Sequence, residues 1–329
     1  MSNLTQTGAT EPAGVFNIDK PAGLSSHDVV NRVRRLLGIR RVGHAGTLDP
    51  LATGVLLVCV GVATRIVEYL QIGRKVYQAD LVLGATTTTY DAEGEVVSTA
   101  PLPPLTVSAL EAVLQSFRGE IWQRPPAFSA VKQRGRPLYA LARAGIEVET
   151  EPRRVTIYQM EVLDWQPPHL GLRITCSPGT YIRSLAHDIG QHLGCGAYLH
   201  SLRRLASGTW RVEDAVRLED LMAAGACWQP YLHGLPAALA MFPPVVLGTA
   251  EAARFIRGQV VLLPAVQVPV TIPPQEEMAV FADLCRVFVL PERLLGIGRM
   301  ERTADGILLH PHKVLRQHLE TDLSETRVV

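Results

Sequence analysis

The chain contains, at positions 43–54, the stretch Gly43-His44-Ala45-Gly46-Thr47-Leu48-Asp49-Pro50-Leu51-Ala52-Thr53-Gly54. Three glycines, a proline and two threonines predict a turn rather than a helix or a strand. The apolar run at 55–60 follows at once and predicts a buried strand. By itself, Asp49 before a proline is typical of an ordinary surface loop. A rigid turn beside a buried strand is also a good place to hold a reactive carboxylate and an imidazole, here Asp49 and His44.

Composition limits the class of protein. At 329 residues, the chain is long enough for a large core and two domains. Hydrophobic residues make up 47% and charged residues 19%, which is typical of a globular protein. The sequence has no apolar run long enough for a membrane span, and its first 13 residues do not resemble a signal peptide. Five cysteines without paired spacing predict free thiols, so we expect a cytoplasmic protein that binds no membrane.

Charge does not by itself identify the partner, because the net charge is only +1. The basic residues are clustered, however, and five arginines lie within ten residues that contain no acid: Arg32, Arg34, Arg35, Arg40 and Arg41. A solvated helix face would explain this run. Arginine is equally well suited to phosphate contacts, so the run also favours a nucleic-acid partner.

Two further elements carry candidate site residues. Apolar and polar residues alternate from Lys75 to Leu83, which predicts a strand with Tyr77 on its apolar face. Taken alone, Tyr77 is typical of a core tyrosine. A helix is predicted between Gly179 and Leu193, with Tyr181 and Arg183 in its first turn. A cation there opposes the helix dipole, so we expect Arg183 to have a carboxylate partner.

The motif at 43–54 resembles the catalytic motif of the TruB family of tRNA pseudouridine synthases, with the family's aspartate at Asp49 and its histidine at His44. The other motifs follow in order along the chain. They are Phe16–Ser26 with Lys20, Lys75-Val76-Tyr77 with the active-site tyrosine, Gly179–Arg183 with Tyr181 and the arginine that pairs with the aspartate, and Tyr198–Leu205 with Leu202.

The resemblance extends to two RNA-binding segments. A basic stretch within an insertion at about 124–152 resembles the RNA-gripping insertion of stand-alone bacterial enzymes, and it implies RNA contacts by Lys132 and Arg134. Phe128 stands there where a tyrosine is expected. Motifs at 253–260, 296–298 and 311–315 resemble a small PUA-type RNA-binding barrel. The glycines at 296 and 298 are no dinucleotide fingerprint, because no third glycine follows at the required spacing.

The resemblance implies an α+β fold, with a catalytic domain built on a mixed, mostly antiparallel sheet with flanking helices and a small C-terminal β-barrel of PUA-like type. We expect four regions along the chain. They are a disordered tail at 1–13, the catalytic domain at 14–242, the PUA-like domain at 243–316 and a mobile tail at 317–329.

The implied reaction isomerises uridine 55 in the T loop of tRNA: the N1–C1′ bond breaks and C1′ re-attaches at C5. No redox step occurs, so neither a cofactor nor a metal is expected. Asp49 either attacks C1′ or assists proton removal at C2′, and the sequence does not choose between these. Arg183 would hold Asp49 ionised, and Tyr77 would stack on the base and help to remove the C5 proton. The base must be flipped out, and the resemblance implies that His44 fills the space it leaves.

We expect the partner to be the T arm of tRNA, bound by a monomer without guide RNA or an obligate protein partner. Two alternatives stay open. One is a guide-RNA-dependent pseudouridylase of archaeal type, against which the long basic insertion speaks. The other is an RNA-folding chaperone without chemistry, against which the presence of Asp49, Tyr77 and Arg183 together speaks.

Overall fold

A computed structural model describes residues 11–126, 132–133, 136–137, 150–264, 281–289 and 293–315. Several expectations fall outside these residues or their side chains. They are the mobile tail at 317–329, most of the disordered tail at 1–13, most of the insertion at 124–152, its residue Phe128, and the two contacts expected from Lys132 and Arg134.

An eleven-stranded sheet forms the larger part of the structure. Its strands are β1 (Gly14–Lys20), β2 (Val42–Ala45), β3 (Thr53–Val60), β4 (Lys75–Leu83), β7 (Gly119–Gln123), β10 (Arg153–Gln166), β11 (His169–Cys176), β12 (Ala197–Ser207), β13 (Trp210–Arg211), β14 (Val216–Arg217) and β15 (Leu232–His233). The order is β14-β1-β3-β12-β4-β11-β10-β7, with β2 beside β3, β13 beside β12 and β15 beside β1. Among the described pairings only β1–β14 and β12–β3 are parallel, which confirms the predicted mixed, mostly antiparallel sheet.

Two small hairpins lie outside this sheet: β5 (Ala85–Thr87) with β6 (Val96–Thr99), and β8 (Lys132–Gln133) with β9 (Arg136–Pro137). The described α-helices are α1 (Ser26–Leu37), α2 (Val67–Gln71), α3 (Val107–Gln115), α4 (Ile182–His192), α5 (Leu218–Ala223), α6 (Leu235–Ala238) and α7 (Thr249–Ile256). Short 3-10 turns span Gly61–Ile66, Gly225–Cys227 and Gln229–Tyr231. Within the described ranges, no helix combines the length and apolar character that crossing a membrane requires.

Local sequence explains the ends of α1. Ser25 and Asp28 form a reciprocal capping box at its start, and Gly38 ends it in the left-handed region at φ 66°. Its apolar stripe, which includes Val29 and Val33, is buried against the sheet. The helix therefore covers one face of the sheet beside the motif at 43–54, and the arginine-rich side faces outward.

The start of that motif is a strand, and the prediction of a turn throughout 43–54 was wrong. Strand β2 places His44 opposite Val58 and Ala45 opposite Leu57 of β3. The reason is non-local. Strand β12 pairs with β3 only at Thr53 and Gly54, which leaves the rest of that edge of β3 free for β2.

A second, five-stranded sheet follows the first. Its strands are β16 (Pro244–Leu247), β17 (Val261–Leu263), β18 (Leu284–Val289), β19 (Arg293–Thr303) and β20 (Gly306–Val314), in the order β16-β18-β19-β20-β17. The two end strands are not paired with each other in the described part of the chain. The sheet is therefore a half-barrel, which agrees with the predicted β-rich C-terminal region.

The two sheets share an apolar core. Leu57 of β3, Tyr69 of α2 and Phe242 lie in one cluster with Leu284 and Ile297 of the half-barrel. The rings of Tyr69 and Phe242 meet edge to face, with centroids 5.4 Å apart. At the rim, the Lys313 ammonium lies 2.7 Å from the Glu68 carboxylate. The boundary expected at residue 243 therefore runs along continuous apolar packing.

We expect Ile297→Ala to lower the free energy of unfolding by about 2–5 kcal/mol, because it opens a cavity in the shared core. Both sheets should still unfold together in one urea transition followed by circular dichroism and by tryptophan fluorescence. Val246→Ala is the control, since this side chain on β16 is 48% exposed and should change stability by less than about 0.5 kcal/mol. Two separate transitions in the Ile297 variant would contradict a common core.

Candidate active site

The loop that carries Asp49 is held from α1 and from the turn after β1. The Ser26 hydroxyl donates to the Leu48 carbonyl at 3.0 Å and accepts from the Leu48 amide at 2.8 Å. The Gly23 amide donates to the Pro50 carbonyl at 2.9 Å. The residues on both sides of Asp49 are thus fixed by hydrogen bonds to distant parts of the chain, which limits the positions open to its carboxylate.

Lys20 supports the same loop from below. Its side chain has 0% exposure, and its ammonium donates to the carbonyls of Pro21 (2.9 Å), Leu24 (2.6 Å) and Pro50 (3.2 Å). Burial lowers the pKa of Lys20 to about 8, although the nearby Asp49 carboxylate opposes this shift. The sequence predicts Lys20 as an RNA contact, whereas the structure encloses its ammonium among backbone carbonyls, where it shapes the loop.

Arg183 meets Asp49 in a two-point contact. Its Nε lies 2.9 Å from Asp49 Oδ2, and its Nη2 donates to Oδ1 at 3.1 Å. Arg183 occupies the first turn of α4, so the carboxylate partner predicted from the helix dipole is confirmed. The arginine side chain is buried, while that of Asp49 is 32% exposed. Asp49 is therefore the member of the pair that a substrate can reach.

A second carboxylate, which the sequence did not indicate, holds the other side of the guanidinium. Asp91 Oδ2 lies 3.1 Å from Arg183 Nη1, and the side chain is almost completely buried. Its other oxygen accepts from the Thr89 hydroxyl and from the Glu93 amide. The sequence shows this segment only as a polar loop. A carboxylate that follows a run of four threonines was the available signal, because hydroxyls can satisfy a buried Asp.

These neighbours act on the protonation of Asp49 in opposite directions. Burial raises the pKa of Asp49, and the negative charge of Asp91 adds to that rise. The positive charges of Arg183 and Lys20 lower it, as does the hydrogen bond from Arg183. Arg183 is therefore the main group that favours the ionised form of Asp49 in a site where burial disfavours it.

Tyr77 lies on the apolar face of β4, as the alternation predicts, and its side chain is buried in the main core. It stands opposite Arg204 of β12 in the antiparallel register. Burial raises the pKa of Tyr77, while the charge and hydrogen bond of Arg204 lower it. Arg204 itself was noticed in the sequence only as part of a strand motif, and the structure shows it in contact with the Asp49 loop.

The remaining predicted residues surround this centre. His44 is half-buried on β2, where burial and then the Arg204 charge lower its pKa. Leu202 is buried in the main core. Tyr181 is held through its backbone, because the side-chain amide of Gln123 accepts from the Tyr181 amide at 2.7 Å and donates to its carbonyl at 3.0 Å. Gln123, which sequence reasoning missed, thereby fixes the start of α4 and so the position of Arg183.

The described residues contain no group of three or more His, Cys, Asp or Glu side chains placed to hold a metal ion. Their titratable groups near Asp49 are instead arranged as ion pairs and as hydrogen bonds to the backbone. What this arrangement can do is to present one carboxylate, oriented by an arginine, beside a buried tyrosine. Such a site is suited to chemistry at a glycosidic carbon and to proton transfer.

Comparison with known proteins gives the family. Residues 34–182 match the family described as TruB family pseudouridylate synthase (N terminal domain), and residues 183–239 match tRNA pseudouridylate synthase B C-terminal domain. The tRNA pseudouridine synthase B of Cupriavidus metallidurans is 44% identical over 327 residues, which cover 95% of this chain and 100% of that protein. The corresponding protein of Geobacillus kaustophilus is 45% identical over 261 residues, or 77% of this chain and 92% of that one.

Solved structures agree. A Cbf5-Nop10-Gar1 complex contains a chain with a TM-score of 0.68 and 28% identity, and the match covers 92% of this chain and 84% of that chain. The α+β fold and the oriented carboxylate are those of the pseudouridine synthases, isomerases that convert uridine to pseudouridine. Within that class, the chain belongs to the TruB family.

We expect Arg183→Gln to shift the acidic limb of the pH–rate profile toward higher pH. The substitution removes the charge and hydrogen bond that lower the pKa of Asp49 and leaves the effect of burial unopposed. More of Asp49 is then protonated at a given pH, so activity should fall at a pH about one unit higher or more. Single-turnover rates between pH 5 and pH 9 measure the shift.

The control for this experiment is Arg217→Gln, which removes an exposed arginine paired with Glu219. Its profile should match that of the unmodified protein. An Arg183→Gln profile of unchanged midpoint, in a protein that remains folded, would show that Arg183 does not govern the ionisation of Asp49.

Proposed function

We propose that the protein converts uridine 55 in the T loop of tRNA to pseudouridine. The observation that carries this proposal is the state of Asp49, which is gripped by Arg183 at two points and is still exposed. Its relatives are tRNA pseudouridine synthases over their full length, which favours tRNA as the substrate. The family resemblance of the motif at 43–54 supports uridine 55 as the target.

Asp49 supplies the carboxylate for breaking the N1–C1′ bond. It either attacks C1′ and forms a covalent ribosyl ester, or it assists removal of the C2′ proton. Both routes need an ionised and oriented carboxylate, and the two contacts from Arg183 support each equally well. Asp91, on the far side of the guanidinium, restrains Arg183 and so supports the orientation of Asp49.

The target uridine is flipped out of its stack to reach this carboxylate. The support is geometric, since Asp49 stands on a loop enclosed by α1, β2 and the start of α4, where a stacked base has no room. Extruding a base costs a few kcal/mol. His44, whose lowered pKa favours the neutral imidazole, is placed beside the loop to fill the position that the base leaves.

Tyr77 stacks on the detached uracil and then accepts its C5 proton. The support is its buried place on β4 beneath the site and its contact with Arg204. The chemistry requires a base only after C1′ has joined C5, when the C5 proton must leave to restore the ring. The separation of roles is therefore Asp49 for the sugar and Tyr77 for the base.

The protein acts as a stand-alone monomer on the T arm, with contacts from the insertion around Lys132 and Arg134 and from a PUA-like half-barrel. The Cbf5 chain that it resembles was solved together with Nop10 and Gar1. The full-length match to bacterial tRNA pseudouridine synthase B favours action without such partners. Activity of the purified chain on a bare transcript separates these cases.

We expect Asp49→Asn to abolish product formation while leaving RNA binding and the fold intact, because it removes a charge and retains the volume. Purified protein and an unmodified tRNA transcript are incubated, and pseudouridine is mapped along the RNA. Transcripts with cytidine in place of uridine 55 serve as the substrate control. Substantial turnover by the folded Asn variant would reject Asp49 as the catalytic carboxylate, and product at another position would reject the proposed target.

We expect Tyr77→Phe to bind tRNA normally and to lose about 10²–10⁴-fold in rate, since it keeps the ring and removes the proton acceptor. Binding is measured by filter retention and chemistry by single turnover. A fully active Phe variant would reduce Tyr77 to a stacking platform.

A further inference from the structure

Arg204 is a buried cation with unusual partners. The residue is 2% exposed, and its guanidinium donates to the carbonyls of Val55 (2.7 Å), Gly46 (3.2 Å) and Thr47 (3.4 Å). Among the described residues, none of the carboxylates lies within ion-pair distance of it. A buried arginine is costly unless its charge is compensated, and carbonyl dipoles compensate only part of it. The charge therefore requires a further explanation.

The backbone forces this side chain toward the active site. Arg204 pairs with Tyr77 on one side of β12 and with Gly54 on the other. At Gly54, whose φ is +97°, an added Cβ would come within 2.2 Å of the Arg204 carbonyl oxygen. Only glycine allows β12 and β3 to approach this closely at the end of the motif. The guanidinium is thereby placed between the Asp49 loop and the hydroxyl of Tyr77.

We propose that Arg204 is a positioning residue for Tyr77, whose phenolate it stabilises during removal of the C5 proton. The inference rests on the proposed function, in which Tyr77 is the base. In this step the C5–H bond breaks and its proton moves to the phenolate oxygen. The electron pair forms the C5=C6 double bond, and N1 takes up a proton from water. The phenol later returns its proton to solvent, so the net reaction remains an isomerisation.

The surrounding groups leave this role to Arg204. Lys75 on β4 is also buried, but burial and then the charge of Arg204 lower its pKa to about 7. Its ammonium donates to the Gln71 carbonyl and the Ser207 hydroxyl. Cys176 on β11 stays a neutral thiol, because burial raises its pKa to about 12. Asp49 opposes a phenolate, so Arg204 is the group beside Tyr77 that favours one.

The test separates the charge of Arg204 from its hydrogen bonds. Arg204→Gln keeps donors for the loop carbonyls and removes the charge, whereas Arg204→Lys keeps the charge and loses the fork. Single-turnover rates are measured from pH 6 to pH 10 on tRNA with hydrogen or deuterium at C5 of the target uridine. Arg203→Gln is the matched control, because Arg203 is the next residue on β12 but pairs with Asp19 at 2.7 Å.

We expect the Gln variant to be slower by about tenfold or more, since each unit of rise in the pKa of Tyr77 lowers the phenolate fraction tenfold. It should show a primary isotope effect at C5, and its rate should continue to rise to a higher pH. The Lys variant should be closer to the unmodified enzyme, and the Arg203 control should match it. If Arg204 only supports the loop, the Gln variant loses rate without an isotope effect or a shift in pH, and the proposal is overturned.

A second variant keeps the test valid if Arg204→Gln does not fold. Site-specific 2,3-difluorotyrosine at position 77 has a more acidic phenol, and it should restore the rate of Arg204→Lys at pH 7–8. Absence of this rescue would overturn the proposal. A fully active Tyr77→Phe enzyme would instead reject the proposed role of Tyr77, so the two failures can be told apart.

Discussion

The structure depends on the burial of one guanidinium between two carboxylates. Arg183 lies in the first turn of α4, where the helix dipole disfavours a cation, and it is held there by Asp49 and Asp91. The three residues come from a motif loop, a polar loop and a helix that are far apart in sequence. Because an unpaired buried charge is very unfavourable, these three segments must come together in one arrangement. The catalytic geometry is thus set by the same contacts that fix the fold.

The two buried arginines have different tasks because their partners differ. Arg183 faces carboxylates, which it keeps ionised and oriented. Arg204 faces carbonyl oxygens of the loop and the hydroxyl of Tyr77, so its positive charge is left partly uncompensated. The site therefore has a carboxylate end and a phenol end, each with its own cation. This separation fits a reaction that first breaks a bond at the sugar and then moves a proton from the base.

Much of this could be predicted from sequence, but mainly where local rules apply. The cap at Ser25, the end of α1 at Gly38 and the alternation around Tyr77 are properties of short segments. Asp91, Gln123 and the partners of Arg204 depend on contacts between distant segments, and no local pattern distinguishes them from surface polar residues. Strand β2 was missed for the same reason, since it forms only because β12 leaves part of the edge of β3 free.

Strand β3 joins the site to the half-barrel. Its residues are buried on both faces, which explains why the sequence there is a continuous apolar run rather than an alternating one. Leu56 and Val58 pack in the core beneath α1, while Leu57 and Cys59 pack in the core shared with the second sheet. The strand begins at Thr53 and Gly54, the end of the catalytic motif. Packing of the C-terminal half-barrel therefore stabilises the strand on which the Asp49 loop is mounted, although no described residue of the half-barrel contributes to the chemistry proposed here.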